Sequence, residues 1–163
     1  MGRHERWEDL YRREFPRVYR AVAAVLRDDN SALDAVHEAF AEGLRRPPAD
    51  DVNLIGWLFR VAVRYARRAD RQYRRVLAAQ LRFPVSQEHD DFRTVLDRIE
   101  VDQLLRTLTE RQRGIVVAQF YLGLDRGEIA RLFAIRPGTV AATLAQAKAR
   151  MRMEARHVPP ELS

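Results

Sequence analysis

Seven arginines, Arg60, Arg64, Arg67, Arg68, Arg71, Arg74 and Arg75, crowd a stretch that also carries a regular apolar pattern. On a helix turning 100° per residue they fall within roughly 120° of arc. Leu58, Val61, Ala62, Tyr65, Ala66, Ala69 and Tyr73 fall on the opposite side. The segment from Leu54 to about Leu81 is therefore predicted as one long helix with a core face and a positive face. Asp70 is the only acid between Arg60 and Arg75, so little of the stripe is neutralised within its own helix. Such a face merely meets water, pairs with acidic partners or tracks phosphates; the density of unneutralised charge favours phosphates. Trp57 sits at the edge of the stripe. Tyr65 and Tyr73, on the apolar side, are expected first in the core and second as base-stacking groups.

The rest of the chain reads as helices too. The first helix covers about Glu5 to Arg27, with Pro16 expected to kink or break it. The second follows Asp28-Asp29-Asn30, with Ser31 as its cap and Asp34 completing a capping box, and runs to about Leu44 before Pro47-Pro48. From Phe83 the pattern lapses through Pro84, Ser86, Gln87, Glu88, Asp90 and Asp91, which reads as an acidic linker. It resumes by Val95 and continues past Leu105. Thr109 with Gln112 opens a helix to about Tyr121, and Leu122-Gly123-Leu124 ends it. Asp125 with Glu128 caps a short helix to about Phe133, Ala134-Ile135-Arg136 makes a turn, and Pro137 starts a last helix to about Arg156. The expected fold class is all-α: two small helical domains, 1–82 and 98–156, an extended acidic linker 83–97 and a tail 157–163.

Composition limits what such a chain does. The 163 residues carry a formal charge of +6, and Lys148 is the only lysine among 29 basic residues. A sequence pI near 10.4 points to a polyanionic partner, nucleic acid first and an anionic membrane surface second. Without cysteine, disulfides and thiolate zinc sites are excluded. Met1 to Trp7 is charged rather than apolar, and no apolar run nears the ~20 residues of a membrane span, so a cytoplasmic protein without membrane insertion is expected. His37-Glu38 opens an HExxH pattern, but Ala41 stands where the second histidine must be. His4, His89 and His157 lie apart, and no phosphate loop or nucleophile elbow appears. No enzyme, metal or cofactor is expected.

The short helix, turn and second helix near the C-terminus have helix-turn-helix spacing, with Ile129, Ala130, Phe133, Ile135, Val140 and Leu144 as the expected interior. An ordinary helical hairpin would share that pattern. A small residue such as Ala130 suits a close helix crossing.

These residues together resemble the sigma-70 family. Leu108-Thr109-Glu110-Arg111-Gln112-Arg113, Glu128-Ile129-Ala130 and Gly138-Thr139-Val140 are similar to its region 4. Ala32-Leu33-Asp34-Ala35-Val36-His37-Glu38-Ala39-Phe40 resembles region 2.2, and Trp57-Leu58-Phe59-Arg60-Val61-Ala62 the start of regions 2.3 and 2.4. The lack of a domain between the halves resembles the extracytoplasmic-function group. Departures are Val63 and Arg64 where the family usually has Arg and Asn, Leu33 and Ala35 for Glu and Leu, and Ala134 for a frequent turn glycine.

The resemblance implies a promoter-specificity factor that acts within RNA polymerase. The alternative is a sigma-derived regulator that binds polymerase or DNA without supporting initiation. Asp34, His37 and Glu38 would meet the coiled coil of the polymerase β′ subunit, with the β flap as a further contact. Trp57 and the seven arginines would lie on the non-template strand at the minus-ten element. The acidic linker would thread toward the RNA exit path. Arg126, Arg136, Thr139, Ala142, Thr143, Gln146, Lys148 and Arg150 would meet the minus-thirty-five element, and an anti-sigma factor is a possible partner. Between Thr139 and Gln146 there is no arginine. Only Thr139, Thr143 and Gln146 can hydrogen-bond base edges there, while Arg136, Lys148 and Arg150 would hold phosphates. Weak base discrimination by this helix is expected.

Overall fold

The computed structural model describes residues 2–49, 52–81 and 96–156. Seven helices occur among them: α1 (Arg3–Leu26), α2 (Asp29–Arg45), α3 (Leu54–Leu81), α4 (Leu96–Arg106), α5 (Glu110–Phe120), α6 (Arg126–Phe133) and α7 (Pro137–Ala155). Contacts divide the chain into two compact units that part between residues 91 and 92. The all-α expectation holds among the described residues. Glu88, His89, Asp90, Asp91 and most of the expected linker lie outside them, as does the tail from His157.

In the first unit α1, α2 and α3 pack against one another. Val18, Val22 and Val25 of α1, Val36 and Phe40 of α2, and Leu58, Phe59 and Val63 of α3 fill the core. Pro16 does not break α1, which runs on without interruption. Trp7 before it and Val18 and Val22 after it are all buried, and that packing outweighs a cost of about 3 kcal/mol for an interior proline.

Two expectations are corrected here. Ser31 does not cap α2, and Asp34 forms no capping box. The cap is Asp28, whose carboxylate accepts from the backbone N–H of Asn30 at 3.0 Å and of Ser31 at 3.1 Å. The Ser31 hydroxyl itself donates to Asp28 at 3.0 Å. An earlier competent residue takes the role and gains most of a turn of helix. The second correction concerns α3. Its buried face is Leu58, Phe59, Ala62, Val63 and Ala66, whereas Tyr65 is 41% and Tyr73 56% exposed. The covered arc lies to the Phe59 and Val63 side of the apolar sector, so Tyr65 and Ala69 face out. Every residue from Arg71 to Val76 is exposed, so Tyr73 lacks neighbours whatever its angle.

In the second unit α7 packs on α4, α5 and α6, and α5 also meets α6. Ile115, Ile129, Val140 and Ala147 are wholly buried, joined by Leu105, Leu108, Leu122, Leu124, Ala130 and Leu144. Phe133 and Ile135 are only half-buried. Both expected capping boxes form. Thr109 Oγ1 accepts from Gln112 N at 3.2 Å while Gln112 Oε1 accepts from Thr109 N at 3.0 Å. Asp125 Oδ1 and Glu128 Oε2 exchange the same pair of bonds at 2.8 and 2.9 Å. The α5 end turns on Gly123 at φ +70°, and the α6 end on Ala134 at φ 53°, an αL position filled by a residue with a Cβ. Pro137 is the first residue of α7.

Candidate nucleic-acid and polymerase interfaces

The α3 stripe begins where Asn53 Oδ1 accepts from Gly56 N at 3.0 Å and closes the first turn. Trp57 is half-buried beside it. Arg64, Arg68, Arg71, Arg74 and Arg75 are exposed, while Arg60 and Arg67 are partly covered. Arg74 Nε pairs with Asp70 at 3.2 Å, the local acid anticipated from sequence. Arg60 is held below the ordinary arginine range, first by burial and then by the like charges of Arg64 and Arg67. The stripe therefore carries internal repulsion that a polyanion would relieve. Val63, standing where the resembled family usually has arginine, is 2% exposed and belongs to the core. A cation at this buried position would have to give up its hydration.

On α2, Asp34, Glu38, Ala41 and Arg45 share roughly 60° of arc on the side away from the core. Asp34 is exposed. With capping assigned to Asp28, its carboxylate is left for other work. Glu38 is not idle: Arg45 Nη2 lies 2.6 Å from its Oε1 and 3.1 Å from Glu42 Oε2. Those hydrogen bonds, the Glu38 one first, raise the Arg45 guanidinium above its ordinary value. Sequence reasoning missed Arg45, although its spacing from Glu42 and Glu38 puts all three on one helix face. His37 is exposed, and its Nε2 is 3.1 Å from the Tyr11 hydroxyl of α1. Tyr11 lies 26 residues away in sequence, and no local pattern announces it.

On α7, the core takes Val140, Leu144 and Ala147. Gly138, Thr139, Ala142, Ala145, Gln146 and Ala149 are exposed, and Thr143 is half-buried. Arg126 stands exposed at the first position of α6, and Arg136 is the N-cap of α7. Two expected phosphate contacts are engaged within the unit instead of standing free. Lys148 Nζ lies 5.4 Å from the centre of the Phe120 ring, within cation–π range. Arg150 Nη1 reaches Thr107 O at 3.4 Å and Gln112 Oε1 at 3.5 Å, long bonds toward the junction of α4 and α5.

Residues 10–76 match the family model for Sigma-70 region 2, and residues 98–151 match Sigma-70, region 4. The chain belongs to the sigma-70 family. With region 2 followed by region 4 and only residues 77–97 between the matches, it is a sigma factor of the extracytoplasmic-function group. As a sigma factor it binds DNA and directs the initiation of transcription by RNA polymerase. Among solved structures, the sigma factor RpoE in complex with the anti-sigma factor NepR, from Bartonella quintana, is similar in fold. The TM-score is 0.75 at 15% identity, over 93% of this chain and 98% of that one. No curated protein matches the chain. Among the described residues of this sigma factor, no helix is long and apolar enough to cross a membrane.

Proposed function

We propose that the first unit supplies both the polymerase-docking face and the minus-ten reader of this sigma factor, and the second a weakly discriminating minus-thirty-five clamp. The exposed arginine row of α3 carries the reading, because its spacing suits a phosphate backbone and its own charges oppose one another. Trp57, Arg60, Arg64, Arg67, Arg68, Arg71, Arg74 and Arg75 then track the non-template strand. Asp34, with His37 and Glu38 beside it, docks on the β′ coiled coil, which must present cations to meet them. Arg126, Arg136 and Thr139 hold duplex at the helix-turn-helix, where the β flap is the adjoining polymerase element. Residues 83–97 form the acidic connection toward the RNA exit path.

The factor works in the cytoplasm and performs no catalysis of its own. The solved relative was captured with an anti-sigma factor, which supports a protein antagonist of that class here.

Reconstituted transcription with core polymerase tests the reading. Wild-type protein should give promoter-dependent transcripts. The Asp34→Lys/Glu38→Lys double variant should lose both co-purification with core and transcription, while its helical circular dichroism stays the same. Neither residue caps α2, so the helix survives the change. A folded double variant that still binds core would overturn the docking assignment. Wild-type protein that binds core without transcripts would favour a regulator that does not support initiation.

A further inference from the structure

His37 stands on the exposed side of α2, yet α1 holds its ring on more than one side. The Tyr11 hydroxyl is 3.1 Å from Nε2. Phe15 stacks on the imidazole with centroids 5.1 Å apart at 27°, and the Tyr11 ring lies nearly parallel to it at 6.2 Å and 15°. Buried Phe40 packs against Tyr11 at 5.1 Å and Phe15 at 6.2 Å, so both rings are anchored from the core. An exposed imidazole ordinarily samples several rotamers; here, stacking and a hydrogen bond from another helix select one. Packing explains the rings but not the hydroxyl, since phenylalanine would stack as well.

We infer that Tyr11 is a positioning residue for polymerase docking: its O–H donates to Nε2 of His37, fixing the imidazole and leaving Nδ1–H as the donor offered to the partner. The inference rests on the docking face proposed above. A phenol is the better donor of the two groups, and an unprotonated imidazole nitrogen the better acceptor. A neutral imidazole carries one N–H, so accepting at Nε2 puts the proton on Nδ1. The partner surface recognised this way places a hydrogen-bond acceptor at His37 and a cation at Asp34, one turn apart on α2.

Tyr11→Phe removes the hydroxyl and keeps the ring, so the contacts with Phe15 and Phe40 persist and thermal unfolding should hardly move. NMR of the imidazole nitrogens in the free, full-length protein should find His37 with its proton on Nδ1. In Tyr11→Phe it should shift toward the ordinarily favoured Nε2–H form. Affinity for core polymerase should fall roughly threefold to tenfold in Tyr11→Phe, the scale of one neutral hydrogen bond. In a His37→Gln background the same change should cost nothing more, because Tyr11 acts through the imidazole.

A tautomer unmoved by Tyr11→Phe, an unchanged affinity, or an equal loss in the His37→Gln background would each overturn the inference. Asp34→Lys, measured alongside, separates the two levels. If it abolishes binding while Tyr11→Phe does not weaken it, only the role of Tyr11 falls. If neither change affects binding, the docking face falls as well.

Discussion

Trp7 of α1 lies against the bare backbone of Gly43 on α2, so closely that a Cβ added at Gly43 would overlap the indole ring. Trp7 is 8% exposed and meets Phe40 edge-on, with centroids 6.4 Å apart at 89°. The contact joins α1 and α2, the helices that carry the proposed docking face. Gly43→Ala should therefore destabilise the first unit by about 1–3 kcal/mol, the usual range for overpacking a core. Urea unfolding followed by circular dichroism would measure it. A loss no larger than a few tenths would mean that the indole moves freely. Gly114→Ala should cost less, because the nearest atom there is the tip of half-buried Phe133 at 3.1 Å.

Two αL positions in the second unit predict opposite signs from one cause. Ala134 has φ 53° with a Cβ, and Gly123 has φ +70° with open space where a Cβ would go. Ala134→Gly should stabilise the unit by about 0.5–1 kcal/mol, the relief of αL strain less the added entropy of the unfolded chain. Gly123→Ala should destabilise by about 1 kcal/mol through backbone strain alone. Melting temperatures that move in the same direction would contradict this account.

The α3 stripe predicts a salt signature. Replacing Arg64, Arg68 and Arg71 with alanine should flatten the dependence of open-complex formation on salt. The slope should fall by about 0.7 per contact on single strands, or about 0.9 on duplex. Arg74 shares its charge with Asp70, so Asp70→Asn should strengthen binding modestly. An unaltered slope in the triple variant would mark the stripe as a face turned to water.

On α7, the exposed side from Gly138 to Ala149 is mainly glycine and alanine, and the exposed Lys148 and Arg150 also contact residues of their own unit. Arg contacts to guanine are worth roughly 1–3 kcal/mol of discrimination each, and none is available between Thr139 and Gln146. Single base changes in the minus-thirty-five element should therefore cost less than the worst minus-ten changes. What preference remains should follow groove shape. A scan of both elements with holoenzyme measures this. One minus-thirty-five substitution as costly as the worst minus-ten change would be enough to refute it.

The sequence by itself determined the helices and their local signals. The α3 bounds, both capping boxes of the second unit, the Gly123 turn and Pro137 at the head of α7 are matters of residues within a few positions of one another. Short-range sterics and hydrogen bonds decide these, and the chain carries them wherever it is. The order of motifs likewise disclosed the family. Periodicity also marked Leu58, Ala62 and Ala66 of α3, and Ile129, Ala130, Val140 and Leu144 of α6 and α7, all of which are buried. Tertiary structure decided how far each covered arc extends. Tyr65 and Tyr73 read as core because periodicity gives an angle but not the reach of neighbouring helices. Phe59 and Val63, beyond the sector that periodicity marked as apolar, are buried because the covered arc turns toward them. The cap of α2 passed from Ser31 to Asp28 because adjacent competent residues compete and only the folded backbone chooses. The hold of Tyr11 on His37 joins residues 26 apart, a proximity that exists only once α1 and α2 have packed.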